Sequence, residues 1–374
     1  MSLFSSFRFT KVIFTIGPST LDVDVLRRLL RSGVDICRVN MAHASHDWTY
    51  KAIKAIRTAS DAEGKEVSIL MDIKGPEIRT GYLDGYIQLE KDQQIDLTQS
   101  DEASPEAGIP AVDINYPSLI DEAKIGDVLL VDSGLMRFQV EEVLIDRLRC
   151  RVIIPGKMGS RRHINIPGKK INLPAMTEKD IADTKIGISA NVDFFALSFV
   201  REAADINQLK KFLLDNNSAA QVVAKVEDQS GIKNLKEILD VSDALMVARG
   251  DLGIEVPYEE LPIIQKQAVS DALISGKPVI MATHLLESMI ESPMPTRAEI
   301  TDVSNSVFER VDCVMLSGET SVGKYPVECV DVLNKVTQNV ERYAGGSGFN
   351  ESLPLSTTRE KLMKSAVVLA RELG

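Results

Sequence analysis

The chain predicts a (β/α)8 barrel of the α/β class with a small β-domain inserted after its third strand. Two observations predict it. Eight short apolar runs alternate with helical stretches, and one connection of about a hundred residues breaks that rhythm. The runs fall at 11–16, 34–39, 67–72, 193–199, 221–227, 244–248, 278–282 and 313–316. Near-continuous apolar strands belong to parallel sheets covered on both faces, and eight of them close a barrel. Helix candidates lie between them at 22–31, 48–59, 206–214, 232–239, 263–274, 298–308 and 326–343. In the first, Leu26, Leu29 and Leu30 have the spacing of one buried helix face.

The long connection reads differently. Tyr86-Ile87-Gln88-Leu89-Glu90 and Val128-Leu129-Leu130-Val131-Asp132 include period-two stretches, and Asp84-Gly85 and Ser133-Gly134 mark turns. The expected division is a barrel at 1–75 and 173–345, with an inserted all-β unit at 76–172. An insert at that strand end hangs over the barrel's C-terminal mouth and is a candidate lid. Ala344–Gly348 reads as a flexible linker leading into a tail at 346–374. In that tail, residues 358–373 place Leu362, Ala366, Leu369 and Leu373 on one helical face. That face is expected either to dock on the barrel or to open a further domain.

The bulk numbers of the 374 residues suit a soluble globular protein with a real core: 44% hydrophobic, 26% charged, with a formal net charge of −11. Such acidity argues against non-specific nucleic-acid binding. No apolar run is long enough for a bilayer span, and the N-terminus lacks a signal-peptide core. Cys37, Cys150, Cys313 and Cys329 show no paired spacing, so buried thiols and a cytoplasmic location are expected.

Polar residues close almost every apolar run. Arg38 and Asn40 end the second, Asp72 the third, Ser198 the fourth, Lys225 and Glu227 the fifth. Gly250-Asp251 follows the sixth, Thr283 the seventh, Ser317 and Glu319 the eighth. In a barrel these ends converge on one mouth, and packing alone does not explain so many of them. Glu227 and Asp251 offer the hard oxygen ligands that Mg²⁺ (or Mn²⁺) prefers, while Lys225 and Arg38 supply positive charge for a transferring phosphoryl group. The turn at Gly250 opens a short helix whose free amides suit a carboxylate, and Thr283 can orient a small substrate or a water. Gly318-Glu319-Thr320-Ser321-Val322-Gly323-Lys324 imitates a P-loop, but Tyr325 stands where a Ser/Thr is required.

Several stretches resemble the pyruvate kinase family, in family order across roughly residues 11–345. They are Thr15-Ile16-Gly17-Pro18-Ser19, Asp72-Ile73-Lys74-Gly75-Pro76-Glu77-Ile78-Arg79-Thr80-Gly81, Lys225-Val226-Glu227 and Ala248-Arg249-Gly250-Asp251-Leu252-Gly253. Leu286-Glu287-Ser288-Met289, Pro295-Thr296-Arg297-Ala298-Glu299 and Met315-Leu316-Ser317-Gly318-Glu319-Thr320 complete the set. The resemblance implies phosphoryl transfer from phosphoenolpyruvate to ADP, giving pyruvate and ATP. It implies Lys225, Arg38 and Thr283 as catalytic residues, and Arg38, Lys225, Gly250, Asp251 and Thr283 around the substrate. Glu227 and Asp251 would hold Mg²⁺. Pro18, Asn40, His43, Arg79 and Arg162 would meet the nucleotide, and Asn40, Asp72 and the Ile73 carbonyl would bind K⁺. A homo-oligomer, dimer or tetramer, built through barrel contacts is also implied.

The chain departs from the family pattern at four places. Ala42 stands where a serine would ligate K⁺, although Glu77 is typical of K⁺-dependent members; a weakened site with water in the gap is expected. Arg162-His163-Ile164-Asn165 replaces Lys-Gly-Val-Asn, and His284 replaces a glutamine. Of the family's C-terminal α/β domain, only the first helix is expected in this sequence, the rest being largely absent from it. Two other readings fit less well: a metal-dependent aldolase or lyase on a pyruvate enolate, which needs neither Lys225 nor a nucleotide lid, and a non-catalytic relative, which has no need of Lys225, Glu227 or Asp251.

Overall fold

The computed structural model describes residues 8–100, 108–169, 173–343 and 355–373. Eight parallel strands close a barrel in sequential order. They are β1 (Lys11–Thr15), β2 (Ile36–Asn40), β3 (Ser68–Ile73), β4 (Phe194–Leu197), β5 (Gln221–Val226), β6 (Ala244–Ala248), β7 (Val279–Ala282) and β8 (Cys313–Leu316). The last pairs with the first through Lys11 opposite Cys313. Alternation along each strand sorts the side chains. Ile13, Leu70, Ala196, Val223, Met246, Ile280 and Met315 pack inside the barrel. Val12, Phe14, Ile69, Met71, Val222 and Ala224 face the surrounding helices.

Local chemistry sets the helix ends. The helix Val23–Arg31 is capped by Asp22, whose carboxylate accepts from the amides of Asp24 and Val25. Leu26, Leu29 and Leu30 are its buried face, as their spacing predicts. Arg297–Phe308 starts in a reciprocal capping box between Thr296 and Glu299.

Between β3 and β4 the chain leaves the barrel and builds a separate sheet. Its order is Ile78–Arg79, His163–Asn165, Val128–Val131, Met136–Val143, Arg147–Ile154, Gln94–Thr98, Ala111–Asp113. Ile87–Leu89 pairs with Gly156–Met158 beside it. Leu89, Leu97, Phe138, Val140 and Leu148 give this unit its own core. Gly75 marks the departure point: its φ is +69°, and an added Cβ would lie 2.8 Å from the Ser198 carbonyl oxygen.

The expected linker Ala344–Gly348 lies outside the described residues. The helix Thr358–Leu373 forms, and of the two readings of its apolar face, docking on the barrel is not seen: Leu362 and Leu369 are exposed. At the imitation P-loop, one helical turn spans Gly318–Ser321 and the long helix begins only at Pro326.

Candidate active site

The side chains at the mouth continue the interior rows of the barrel by two residues. Ile13 is followed inward by Thr15, Ile36 by Arg38, Leu70 by Asp72, Ala196 by Ser198, and Val223 by Lys225. Strand periodicity thus places a ring of polar groups on top of an apolar plug. The ring is knit together. Lys225 Nζ donates to Ser198 Oγ at 2.6 Å and to Asp72 Oδ1 at 3.1 Å, and lies 3.1 Å from Glu227 Oε1. Arg38 Nε donates to Asp72 Oδ2 at 2.7 Å, and its Nη1 reaches Thr15 Oγ1 at 3.0 Å. Ser198 Oγ also donates to the Ile73 carbonyl at 2.8 Å.

All four of Arg38, Asp72, Lys225 and Glu227 are buried. Burial alone would strip the charge from Lys225, yet Asp72 and Glu227 outweigh it and hold the ammonium above its ordinary value. Burial likewise opposes ionisation of Asp72, and Lys225 with Arg38 reverses that, holding the carboxylate below its usual range. Glu227 goes the other way. Burial, with Asp251 and Asp72 adding repulsion, outweighs Lys225 and pushes its carboxyl upward. Its Oε2 accepts the Phe199 amide at 2.7 Å.

Across the mouth, Gly250 and Asp251 lie in the first turn of the helix Arg249–Glu255. The Gly250 amide donates to Thr283 Oγ1 at 2.7 Å, and Arg249 Nη2 donates to the Thr283 carbonyl at 2.8 Å. Thr283 and His284 sit at φ +68° and +57°. A β-branched residue rarely holds that conformation, and such strain concentrates at functional sites.

Pro18, Asn40 and His43 meet elsewhere. They line a cavity of about 460 Å³ together with Thr15, Trp48 and Val322. Thr15 belongs both to this cavity and to the Arg38 contact, so the two adjoin. Gly17 lets the backbone pass Ser321 there; a Cβ would lie 2.4 Å from the Ser321 carbonyl oxygen. Asn40 Oδ1 accepts the Ala42 amide at 3.1 Å.

Arg79 and Arg162 belong to the inserted unit. Arg79 Nε donates to Glu77 at 2.7 Å and its Nη1 to the Arg161 carbonyl at 2.8 Å. Arg162 Nη1 donates to Asp132 at 3.2 Å. The structure thus gathers Arg38, Asp72, Lys225 and Glu227 by direct contact and joins Gly250 to Thr283. It leaves both arginines paired within the insert.

Among the participants in this region to which the sequence assigns no role are Thr15, Phe199, Asn165 and Glu255. Thr15 ends β1 and fits the polar-end pattern. Phe199 shows only in the fold, through its backbone amide and a φ of +54°. Asn165 Nδ2 donates to Glu255 Oε1 at 2.6 Å, tying insert to barrel, a pairing across 90 residues that no spacing reveals.

A model of the pyruvate kinase barrel domain matches residues 7–330. The chain belongs to the pyruvate kinase family. It is 42% identical to a pyruvate kinase of Dictyostelium discoideum over 342 residues, covering 90% of this chain and 67% of that protein. It is 41% identical to one of Geobacillus stearothermophilus over 340 residues, covering 90% and 57%. A crystal structure of a pyruvate kinase from Cryptosporidium parvum superposes with a TM-score of 0.90 at 36% identity, covering 98% of this chain and 77% of that one. Against many such relatives the chain spans only about three fifths of their length.

Proposed function

We propose that the chain is a phosphotransferase that moves the phosphoryl group of phosphoenolpyruvate to ADP, giving pyruvate and ATP. The observation that carries this reading is Lys225, buried and held charged among Asp72, Ser198 and Glu227 beside the Arg38 guanidinium. A desolvated ammonium and guanidinium fixed before substrate arrives suit the charge of a phosphoryl group in flight.

The residues fit a divalent metal. Glu227 is a buried carboxylate whose ionisation is opposed by burial and by Asp251, and a cation between the two relieves both penalties. Mg²⁺ or Mn²⁺ held there would neutralise phosphate oxygens and support the enolate as it forms. Asn40, Asp72 and the Ile73 carbonyl would hold K⁺, short of one oxygen at Ala42. The chain's own groups do the rest. Lys225 and Arg38 orient the phosphoryl group. The Gly250 amide, with Asp251 and Thr283, receives the substrate carboxylate, which requires the Gly250 amide to exchange its bond to Thr283 Oγ1 for one to substrate. Pro18, His43 and the adjoining cavity suit the flat apolar face of a nucleobase. Arg79 and Arg162 lie on the insert, where closure would carry them onto the nucleotide phosphates.

This reading includes a barrel at 1–75 and 173–345 and a lid at 76–172. It also includes a cytoplasmic setting and a homo-oligomer formed through the barrel. No helix among the described residues is long and apolar enough to cross a membrane. A coupled assay tests the activity: pyruvate and ATP should form from phosphoenolpyruvate, ADP and Mg²⁺ and be lost in Lys225→Met. A folded wild-type chain that makes no ATP refutes the reading.

A further inference from the structure

Two side chains outside the assigned machinery connect the lid to the metal pair. The imidazole of His163, in the strand His163–Asn165, meets the ring of Phe199 edge to face, with centroids 5.7 Å apart and planes at 62°. Phe199 is the second residue past β4, and its amide donates to Glu227 Oε2 at 2.7 Å. It holds φ at +54°. A bulky residue keeps that backbone conformation only where its surroundings over-determine it. Two supports are present, the carboxylate on the amide and the imidazole on the ring. Both aromatic rings line a small cavity of about 70 Å³ between lid and barrel, alongside Asn165 and Glu255.

We propose that His163 is a positioning residue for the metal site: its ring braces Phe199, Phe199 keeps its amide on Glu227, and the lid is thereby coupled to the orientation of a metal ligand. This inference rests on the reading of Glu227 and Asp251 as the metal pair. Without the imidazole, the Phe199 backbone relaxes toward negative φ and its amide turns away. Glu227 then loses a group that orients it and keeps Lys225. Groups that orient a ligand in this way commonly govern metal affinity.

The test is a Mn²⁺ titration of the full chain without substrates, reading free Mn²⁺ by electron paramagnetic resonance. His163→Ala should raise the Mn²⁺ dissociation constant by about two- to tenfold, the worth of one aromatic contact. His163→Phe, which restores a ring, should return it close to wild type. His163→Leu keeps the bulk without the ring and should behave like His163→Ala, which covers the case of an alanine variant that folds poorly. An unchanged constant in both Ala and Leu variants, or a Phe variant as weak as they are, overturns the proposal. A wild type that binds Mn²⁺ yet makes no ATP sinks only the functional reading. A wild type that does not bind Mn²⁺ overturns the metal pair and this inference with it.

Discussion

Lys225 Nζ, on β5, stands 3.1 Å from Oε1 of Glu227, the first residue past that strand, and the two groups answer burial in different ways. Lys225 is held charged by two carboxylates, whereas burial and a second carboxylate at Asp251 oppose the charge on Glu227. Removing Lys225 therefore has two effects. Lys225→Met should lower turnover by at least about a hundredfold, the scale of losing one preorganised electrostatic donor. It should also lower unfolding stability at neutral pH by roughly 3 kcal/mol, because Asp72 and Glu227 lose their shared cation. Steady-state kinetics and urea unfolding measure the two separately.

Glu255 gives a pH signature at the lid contact. Burial pushes its carboxyl up to about 7, with Asp228 and Asp251 adding to the shift against the Asn165 hydrogen bond. A folded-state value above the unfolded one means the native chain holds its proton more tightly. That contribution is full below about pH 4.5 and is lost as pH rises through about 7. Glu255→Gln keeps an acceptor for Asn165 and cannot ionise. It should flatten the stability profile across this window and exceed wild type at pH 8 by about 1–3 kcal/mol. Denaturant unfolding from pH 4 to pH 8 shows it; a fall in stability as steep as wild type would count against the assignment.

In the proposed K⁺ site Ala42 offers no side-chain oxygen, and two of the proposed ligands already hold hydrogen bonds. Asn40 Oδ1 already accepts the Ala42 amide, and the Ile73 carbonyl already accepts from Ser198. Ala42→Ser should lower the K⁺ concentration for half-maximal activity several-fold, about one added ligand's worth. The check is activity titrated with K⁺ at fixed ionic strength. Wild-type activity that is equal with and without K⁺ would remove the premise.

Thr283 holds a strained backbone at φ +68° while its hydroxyl occupies the Gly250 amide. Asparagine tolerates that conformation better. Thr283→Asn should stabilise the fold by about 1 kcal/mol and lower turnover, as the hydroxyl over Gly250 is removed. A thermal melt paired with kinetics reads both. Higher stability with full activity would separate the strain from function.

Much of the site was legible in the sequence because strand periodicity carries it. A polar residue two positions beyond an inward apolar one must point into the mouth, so Arg38, Asp72, Ser198 and Lys225 were found from their runs alone. The insert was visible as a change of period, from buried strands to alternating ones. Phe199 was not, since what it contributes to Glu227 is a backbone amide and a φ, neither of which leaves a mark on residue type. The helix Thr358–Leu373 was legible as amphipathic, but its exposed apolar face shows that periodicity specifies a face and not its cover.

By itself, then, the sequence determined the barrel, the insert and the charged strand ends, because each follows from local patterns of burial and alternation. Only the tertiary structure decided which of those charges share a proton-holding network, and that Asn165 and Glu255 tie lid to barrel. It alone set His163 against Phe199. The His163–Phe199 and Asn165–Glu255 contacts join residues 36 and 90 positions apart and Lys225–Asp72 joins residues 153 apart, and their energies depend on desolvation and angle, which exist only once the strands have closed.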